Sequence, residues 1–371
     1  MGYKVCRRCA MDTTDPDIVF DGEGICNHCH EYQTRRTFEL HYGAMGRLHL
    51  EAILDQMRLD GEGKDYDCII GLSGGLDSSF VAYNLVQFGI KPLAVSLDND
   101  WDMPVAKENV KNLVNKLNLD WEHVSVEPRQ YKDLQMSFMK AGVINVEAPT
   151  DHAISSFLCQ MANREGLRYI VHGGNIVTEA IMPKAWGYDA KDWKHIKAIH
   201  KKFGTESLKG FPHMNLFHWA YFTFYKGIKW FPLLNYVEYV PSKAKQVLAE
   251  AIGWKDYGGK HLESEWTAFF QRYILPKKFG IDKRKAHLST LINSGFMIRE
   301  DALEELKEDP NIFTVTDVER ITRKFGMSLF DFQLYMAENP VPHSEYASNE
   351  HWFNRLKGFV AFAKRTATQI A

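Results

Sequence analysis

The chain has 371 residues, of which 45% are apolar, 13% are aromatic and 25% are charged, so it is a globular protein and not a disordered one. A formal net charge of −2 argues against nucleic acid as a partner, because no broad positive surface is available. The first twenty residues contain no apolar run of a secretory signal, and no stretch is suited to membrane insertion, so we expect a cytoplasmic protein.

Two Cys-x-x-Cys pairs, separated by sixteen residues, stand near the start of the chain: Cys6, Cys9, Cys26 and Cys29. Each short turn directs two thiolates at one ion, so the pattern predicts a tetrahedral zinc site. Turn residues around 18–20 predict a short strand between the pairs, as in a zinc ribbon. Because cysteine fills all four positions, we expect a structural Zn²⁺ without a catalytic water. Replacement of one ligand by His28 or His30, or an iron–sulfur cluster, is the alternative.

Four regions follow from the changes in pattern along the chain. The zinc ribbon occupies 1–32, and a charged segment with apolar residues at helical spacing forms a helical connector over 33–63. The main domain covers 64–257. A C-terminal region over 258–371 has the pattern of amphipathic helices, interrupted near Pro310 and Pro340.

The segment 67–82, DCIIGLSGGLDSSFVA, joins an apolar run to a glycine-bearing turn and then to a helical pattern. The paired glycines let backbone N–H groups approach an anion, and a helix start adds about half a positive charge. No lysine stands at the Walker A spacing, which excludes that motif. The sequence predicts a phosphate-binding loop formed by Ser73, Gly74, Gly75, Leu76, Asp77, Ser78 and Ser79.

SGGLDSS after an apolar strand resembles the pyrophosphate loop of the ATP-pyrophosphatase (PP-loop) superfamily. Members of that superfamily cleave ATP between the α and β phosphates and transfer AMP to a substrate carbonyl oxygen. The resemblance implies that the loop holds the departing pyrophosphate, with ATP and Mg²⁺ as cofactors and Asp77 as a ligand of the magnesium. A strand–turn–helix with a serine-rich turn and no ligand is the alternative.

From residue 66 onwards, strand patterns alternate with helical patterns, which is typical of a parallel sheet covered by helices on both faces. We place strands at 68–72, 92–97, 121–126, 169–172 and 233–237, and helices at 78–88, 105–117, 152–164 and 242–252. The fold class is therefore α/β with a parallel five-stranded sheet, and the resemblance implies the adenine-nucleotide α-hydrolase (PP-loop) type. Ligands bind beyond the carboxyl ends of such strands.

Two further loops follow predicted strand ends. In the resembled superfamily the loop after the second strand, here Leu97, Asp98 and Asn99, lies beside the adenosine. The loop after the fourth strand reads HGGN and resembles a second phosphate and ribose loop. It contributes Gly173, Gly174 and Asn175 to nucleotide binding, and Glu179 to magnesium. Polar turns without a ligand are the alternatives.

An aromatic insertion at 182–230 interrupts the alternation of strands and helices, with aromatic residues from Trp186 to Trp230. It suits stacking on a sugar or uracil ring, but the core of a subdomain or a dimer surface explains such density equally well. Further along, KHLESEW and KKFGIDKRKAHLS combine basic residues with apolar helical runs. Such a cluster beside an ATP site can neutralise pyrophosphate or hold an anionic sugar nucleotide, and a solvated basic face is the alternative.

Taken together, the zinc ribbon, SGGLDSS, HGGN and the basic C-terminal segment resemble the N-acetyl sugar amidotransferases of surface-polysaccharide or flagellin-sugar biosynthesis. The resemblance implies catalytic roles for Ser73, Asp77, Lys278 and Lys283, and places His261, Glu263 and Arg284 at the substrate. Such an enzyme converts an acetamido group on a UDP-linked or free sugar acid to an acetamidino group. ATP activates the amide oxygen, and ammonia then displaces AMP.

Ammonia must be supplied, and the chain shows no amino-terminal glutaminase nucleophile, since Cys6 belongs to the first zinc pair. The resemblance implies glutaminase and ammonia-channelling partners like the subunits of imidazole-glycerol-phosphate synthase. His172, His261 and Glu263 remain open as the group that takes the proton of ammonium. The rival interpretation is a tRNA-thiolating enzyme with the same zinc ribbon and ATP loop. Only Cys68 and Cys159 are left to carry sulfur for it, and neither forms a Cys-x-x-Cys pair.

Overall fold

A computed structural model describes residues 2–353 and 355. Its strands are Cys68–Gly71 (β1), Pro92–Asp98 (β2), Trp121–Ser125 (β3), Tyr169–His172 (β4) and Lys229–Pro232 (β5). They pair in parallel in the order β3-β2-β1-β4-β5, which confirms the predicted five-stranded α/β sheet. The order changes direction at β1, so a crevice forms beyond its carboxyl end.

The helices of the described part begin and end as follows: Asn27–Glu39 (α1), Gly43–Gly61 (α2), Leu76–Gln87 (α3), Pro104–Leu117 (α4), Pro128–Lys140 (α5), Ala148–Arg164 (α6), Ile176–Glu179 (α7), Trp193–Phe203 (α8), Leu216–Ala220 (α9), Pro241–Ile252 (α10), Glu265–Phe269 (α11), Leu275–Phe279 (α12), Arg284–Ser294 (α13), Arg299–Glu305 (α14), Val315–Phe325 (α15) and Leu329–Ala337 (α16). The C-terminal region is helical as predicted, and its residues 354 and 356–371 lie outside the described part. None of the helices described is both long and apolar enough to span a membrane.

The fifth strand differs from its prediction, which placed it at 233–237. The strand that pairs with β4 is Lys229–Pro232, and Leu233–Asn235 forms a 3₁₀ turn. Leu233 and Leu234 are both fully buried. Consecutive buried side chains also occur in the strands of this sheet, such as β1, so burial alone does not distinguish this turn from a strand. The apolar run was therefore a correct signal of burial and a wrong signal of strand.

The amino-terminal region also departs from its prediction in detail. The expected ribbon strand at 18–20 is reduced to a single antiparallel bridge between Phe20 and Cys26. Helix α1 begins directly after Cys26, so the second cysteine pair lies at the start of a helix. The cysteines belong to the same continuous core as the sheet, because this region packs against the C-terminal helices.

The aromatic segment divides into a buried and an exposed part. Trp186, Trp193 and Phe211 are buried among the helices. Phe217 is 83% exposed and Tyr225 is 78% exposed, in and beside a π-helical turn at Tyr221–Tyr225. Much of the segment is therefore part of the protein core, which is one of the alternatives given for it above. Its tip presents aromatic rings to solvent.

Candidate functional site

The four cysteines form the candidate metal centre. Their Sγ atoms all lie within 4.8 Å of one another, and all four residues are buried. The closest Sγ–Sγ separations are 3.6, 3.8 and 3.9 Å. A tetrahedral ion with Zn–S bonds of about 2.3 Å places its sulfurs about 3.8 Å apart, so the geometry fits one zinc ion. A cluster with several irons sets its thiolates on different metal atoms and requires wider spacing.

Neither histidine considered as a substitute ligand takes part in the cluster. His28 Nε2 lies 2.6 Å from Asp15 Oδ2, and His30 Nε2 lies 2.8 Å from Asp21 Oδ2. The side-chain amide of Asn293 donates a hydrogen bond of 3.4 Å to Cys29 Sγ. Such N–H···S bonds stabilise thiolate ligands, so the surroundings also suit a metal centre.

The candidate active site is a cavity of about 530 Å³ beyond the carboxyl end of β1, a size suited to small-molecule ligands. One part of its wall is the start of α3 and the loop after β4. The rest comes from Tyr239, the first turns of α10 and the segments after it, including the loop before α11 and the helix α13. Among the predicted site residues, those that line it are Ser73, Gly75, Leu76, Asp77, Ser78, Gly173, Gly174, Glu179, His261, Glu263, Lys283 and Arg284.

The phosphate loop is held in place by hydrogen bonds to residues on both sides of it. The amide of Gly75 donates to Ser73 Oγ at 3.2 Å, and the amide of Leu76 donates to the hydroxyl of Tyr257 at 3.1 Å. The carbonyl of Gly74 accepts from the indole of Trp254 at 3.2 Å. These bonds fix the turn that leads into α3, whose amino end favours a bound anion.

Gly74 is the residue of this loop that most needs to be glycine. Its φ is +77°, and an added Cβ lies 2.2 Å from the carbonyl oxygen of Ala106. We expect Gly74→Ala to lower the free energy of unfolding by more than about 3 kcal/mol, since both strain and overlap act against it. Gly63→Ala is the matched control, because Gly63 has a φ of +76° with open space around it. Urea unfolding of both variants checks this; equal losses would contradict the role of the contact with Ala106.

Two carboxylates and one ammonium group meet beside the loop. Lys260 Nζ lies 3.4 Å from Asp77 Oδ2 and 2.8 Å from Glu179 Oε1, and it donates to Thr178 Oγ1 at 3.0 Å. Tyr239 donates its hydroxyl proton to Asp77 Oδ1. Since one ammonium group contacts both carboxylates, Asp77 and Glu179 surround a common point. Oxygen ligands in this arrangement fit Mg²⁺, which binds through one or two carboxylates together with phosphate oxygens.

The electrostatics of this group are uneven. Burial raises the pKa of Asp77 and the neighbouring Glu179 adds to that rise, against the opposing effect of Lys260. Burial alone would lower the pKa of Lys260, but the two carboxylates outweigh it and the pKa is raised. The charged ammonium of Lys260 is therefore stabilised in the folded protein, whereas the ionised carboxylate of Asp77 is destabilised by its burial. A divalent cation at this point removes that destabilisation.

Glu263 lies on the other side of the phosphate loop. An added Cβ on Gly75 would be 3.3 Å from Glu263 Oε1, and Glu263 Oε2 is buried without a hydrogen-bond partner. Burial raises the pKa of Glu263 to about 7. A carboxyl group with such a pKa exchanges a proton readily at neutral pH. By contrast, burial lowers the pKa of His261 to about 3, and His172 is absent from the lining of the cavity.

The structure does not bring Lys278 to this cavity, although the resemblance implied a catalytic role for it. Its ammonium donates to the carbonyls of Tyr335 and Glu338, at the carboxyl end of α16, where helix carbonyls attract cations. Asp98 and Asn99 line a second cavity of about 440 Å³ beside Trp101. The remaining predicted residues outside the main cavity are Gly74, Ser79, Leu97 and Asn175.

Sequence reasoning missed several residues of the cavity. Tyr239, Tyr257 and Lys260 hold the carboxylate and the phosphate loop, and Arg272 and His287 line the C-terminal side. Lys260 stood in the basic segment without an assigned partner. The tyrosines had no signal in the sequence, because each contacts residues more than 160 positions away.

Two family models match the chain. Residues 55–209 match the family NAD synthase, and residues 263–358 match the family described as LPS biosynthesis protein WbpG-like, C-terminal domain. The first match defines the class, a PP-loop protein with an α/β nucleotide-binding sheet, as SGGLDSS predicted. The two matches together support a PP-loop protein of the amidotransferase type that is associated with lipopolysaccharide biosynthesis. The resemblance drawn from the sequence is confirmed at this level.

Solved structures similar to this chain include an NMN synthetase from Francisella tularensis, with 14% identity, 81% of this chain and 99% of that chain covered, and a TM-score of 0.37. An NH3-dependent NAD synthetase from Campylobacter jejuni is 16% identical, with 56% of this chain and 93% of that chain covered and a TM-score of 0.29. The U34-tRNA thiolase NcsA from Methanococcus maripaludis, with its [4Fe-4S] cluster, has 13% identity, 86% and 96% coverage, and a TM-score of 0.28. No curated protein sequence matches.

Proposed function

We propose that this protein is an ATP-dependent amidotransferase that converts an acetamido group of a nucleotide-linked or free sugar acid to an acetamidino group. The observation that supports it best is the composition of one cavity. The phosphate loop and the carboxylates of Asp77 and Glu179 form one part, and residues of the segment matched by the WbpG-like model form the other. The proposed ATP site thus opens directly onto residues of the matched segment.

The reaction needs two displacements. The amide oxygen of the acceptor attacks the α-phosphorus of ATP, the bond to the β-phosphate oxygen breaks, and pyrophosphate leaves. Ammonia then attacks the activated amide carbon, and AMP leaves with the former amide oxygen. Donors that are already oriented towards the developing charge contribute most to such steps.

We assign the residues around the phosphate loop tasks in the two displacements. The amino end of α3 and the hydroxyls of Ser73 and Ser78, which line the cavity, would face the pyrophosphate. Lys260 balances the negative charge that appears as the bond breaks. Asp77 and Glu179 would hold Mg²⁺, which supplies charge neutralisation on the phosphates when it is bound. Glu263 is placed to take a proton from ammonium beside the loop.

Ammonia supply is part of the proposal. Only uncharged ammonia is nucleophilic, and ammonium prevails at neutral pH, so we infer a glutaminase partner that delivers ammonia to the cavity. The proposal includes ammonia-channelling proteins like the subunits of imidazole-glycerol-phosphate synthase. A separate partner is contradicted if the isolated chain uses glutamine as well as it uses ammonium.

The test incubates the protein with ATP, Mg²⁺, ammonium and a UDP-linked diacetamido uronic acid. Nucleotide analysis then follows the conversion of ATP, and mass spectrometry follows the sugar. We expect AMP and pyrophosphate in equal amounts, and a sugar product in which NH has replaced O. AMP formation that requires tRNA and a sulfur donor would instead establish the thiolation chemistry. Two observations argue against that outcome: Cys68 and Cys159 are both buried, and burial raises the pKa of both thiols, opposite to a reactive sulfur carrier.

A further inference from the structure

The C-terminal half of the cavity holds two cations that no carboxylate of the described residues contacts within ion-pair distance. We define this half by Arg272, Lys283, His287, Leu291, Met297 and Glu305. Within the described residues, neither Arg272 nor Lys283 forms an ion pair. Arg284, the neighbouring guanidinium, differs from them because Asp282 engages it at 2.7 Å.

The backbone around Arg272 is built to direct this side chain into the cavity. Residues Phe270–Ile274 form a π-helical segment between α11 and α12. Such segments add a residue to a helical turn and are frequent at functional sites. Phe270 and Ile274 stay fully buried on the core side, while Gln271 and Arg272 line the cavity. The side chain therefore rests on a fixed support, as a recognition residue requires.

His287 adds a second unsatisfied group on the neighbouring helix α13. Both of its ring nitrogens are buried and neither has a hydrogen-bond partner. Its ring lies 5.2 Å from that of His261, centroid to centroid. Burial, followed by the influence of His261, lowers the pKa of His287, so the ring is neutral at pH 7. A neutral imidazole offers one donor and one acceptor, and neither is used by another residue of the described chain, so both are available to a ligand in the cavity.

We propose that Arg272 and Lys283 bind the carboxylate of the acceptor sugar, and that His287 forms hydrogen bonds with a neighbouring polar group of that sugar. This inference rests on the proposed function, since it concerns the acceptor of that reaction. A planar guanidinium matches the two oxygens of a carboxylate. The apolar side chains of Leu291 and Met297 complete a wall for the less polar face of the ring.

The charge balance favours a carboxylate over a phosphate group. Glu305 also lines this half of the cavity, so two cations face one acid and the surplus is a single positive charge. A singly charged carboxylate balances that surplus. The pyrophosphate of ATP carries more charge, and the site proposed for it is the amino end of α3 with Lys260.

The experiment compares two UDP-linked acetamido sugars that differ at one position, a carboxylate in one and a hydroxymethyl group in the other. We expect the wild type to prefer the acid in kcat/KM. Arg272→Met should lower kcat/KM for the acid about 10- to 100-fold and leave that for the neutral sugar within a few-fold. The KM for ATP should stay unchanged. Lys283→Met should act in the same direction, and Arg323→Met, which removes an exposed arginine of α15, is the matched control.

Each outcome has a distinct meaning. Equal losses for both sugars would overturn the inference, because Arg272 would then contact the diphosphate or support the fold. Equal turnover of both sugars by the wild type would overturn it as well. If neither sugar yields AMP and product with the wild type, the proposed function fails instead. Isothermal titration with each sugar in the absence of ATP separates these cases, because recognition of the carboxylate is then measured without turnover.

Discussion

Asp77→Asn is expected to reduce AMP and pyrophosphate formation by at least about 10²-fold, a loss of the size seen when one preorganised electrostatic contact is removed. The substitution keeps the shape of the side chain and its contact with Tyr239, but it removes the charge that faces Lys260 and the metal position. Binding of Mg²⁺ with ATP should weaken together with turnover. Glu179 alone then has to hold the cation, so added Mg²⁺ should restore part of the activity.

The same substitution should not unfold the protein. Because burial raises the pKa of Asp77, the ionised carboxylate opposes folding above its ordinary titration range, and the neutral amide removes that penalty at pH 7. We therefore expect thermal stability without ligand to stay equal or to rise while activity falls. Asp120→Asn is the control, since Asp120 accepts a hydrogen bond from Tyr66 and precedes the edge strand β3, at the end of the strands opposite to the cavity. Full activity in Asp77→Asn would remove the carboxylate from the mechanism.

Residues close in sequence carried the accurate part of the prediction. SGGLDSS combines a strand end, a turn and a helix start within one short segment, so the local sequence specifies both structure and chemistry. The two cysteine pairs are equally local, and one ion determines how they meet. The strands β1, β2 and β4 were placed well because parallel strands buried on both faces give continuous apolar runs. Strand β3 was also placed well, although it is an edge strand without fully buried residues.

Contacts between distant segments determined what could not be predicted. The role of Lys278 depends on where α16 ends, because the carbonyls of that helix take its ammonium. Arg272 enters the cavity through a π-helical segment, and periodicity cannot show where one extra residue shifts a helix. His287 lay inside KRKAHLS, where basic neighbours suggested charge and hid a neutral, buried ring. Packing between distant segments determines the surroundings of all three residues. The sequence could therefore indicate the basic segment but not the groups that each of its residues contacts.

The cysteine cluster is coupled to the cavity through helix α13. The amide of Ala10 donates to Ser289 Oγ at 3.0 Å, and the guanidinium of Arg299 donates to the carbonyls of Cys6 and Cys9. Helix α13 holds Ser289, and it also carries His287 on the wall of the cavity. We therefore expect a metal that fixes the cysteine turns to hold α13 as well, and with it one side of the proposed acceptor site.

Cys9→Ser is accordingly expected to abolish stoichiometric zinc binding and to destabilise the protein by more than about 3 kcal/mol, since three thiolates would be left in a buried position without a complete ligand set. Zinc content by atomic emission and unfolding in urea measure the two effects. Cys159→Ser is the matched control, because Cys159 is a buried cysteine outside the cluster and should keep the full zinc content. The coupling through α13 adds a second expectation, that Cys9→Ser weakens acceptor binding more than ATP binding in whatever fraction stays folded.

Retention of one zinc per chain by Cys9→Ser would mean that the four thiolates do not form a common site. Several irons per chain together with inorganic sulfide in the wild type would overturn the single-ion interpretation of the sulfur spacing.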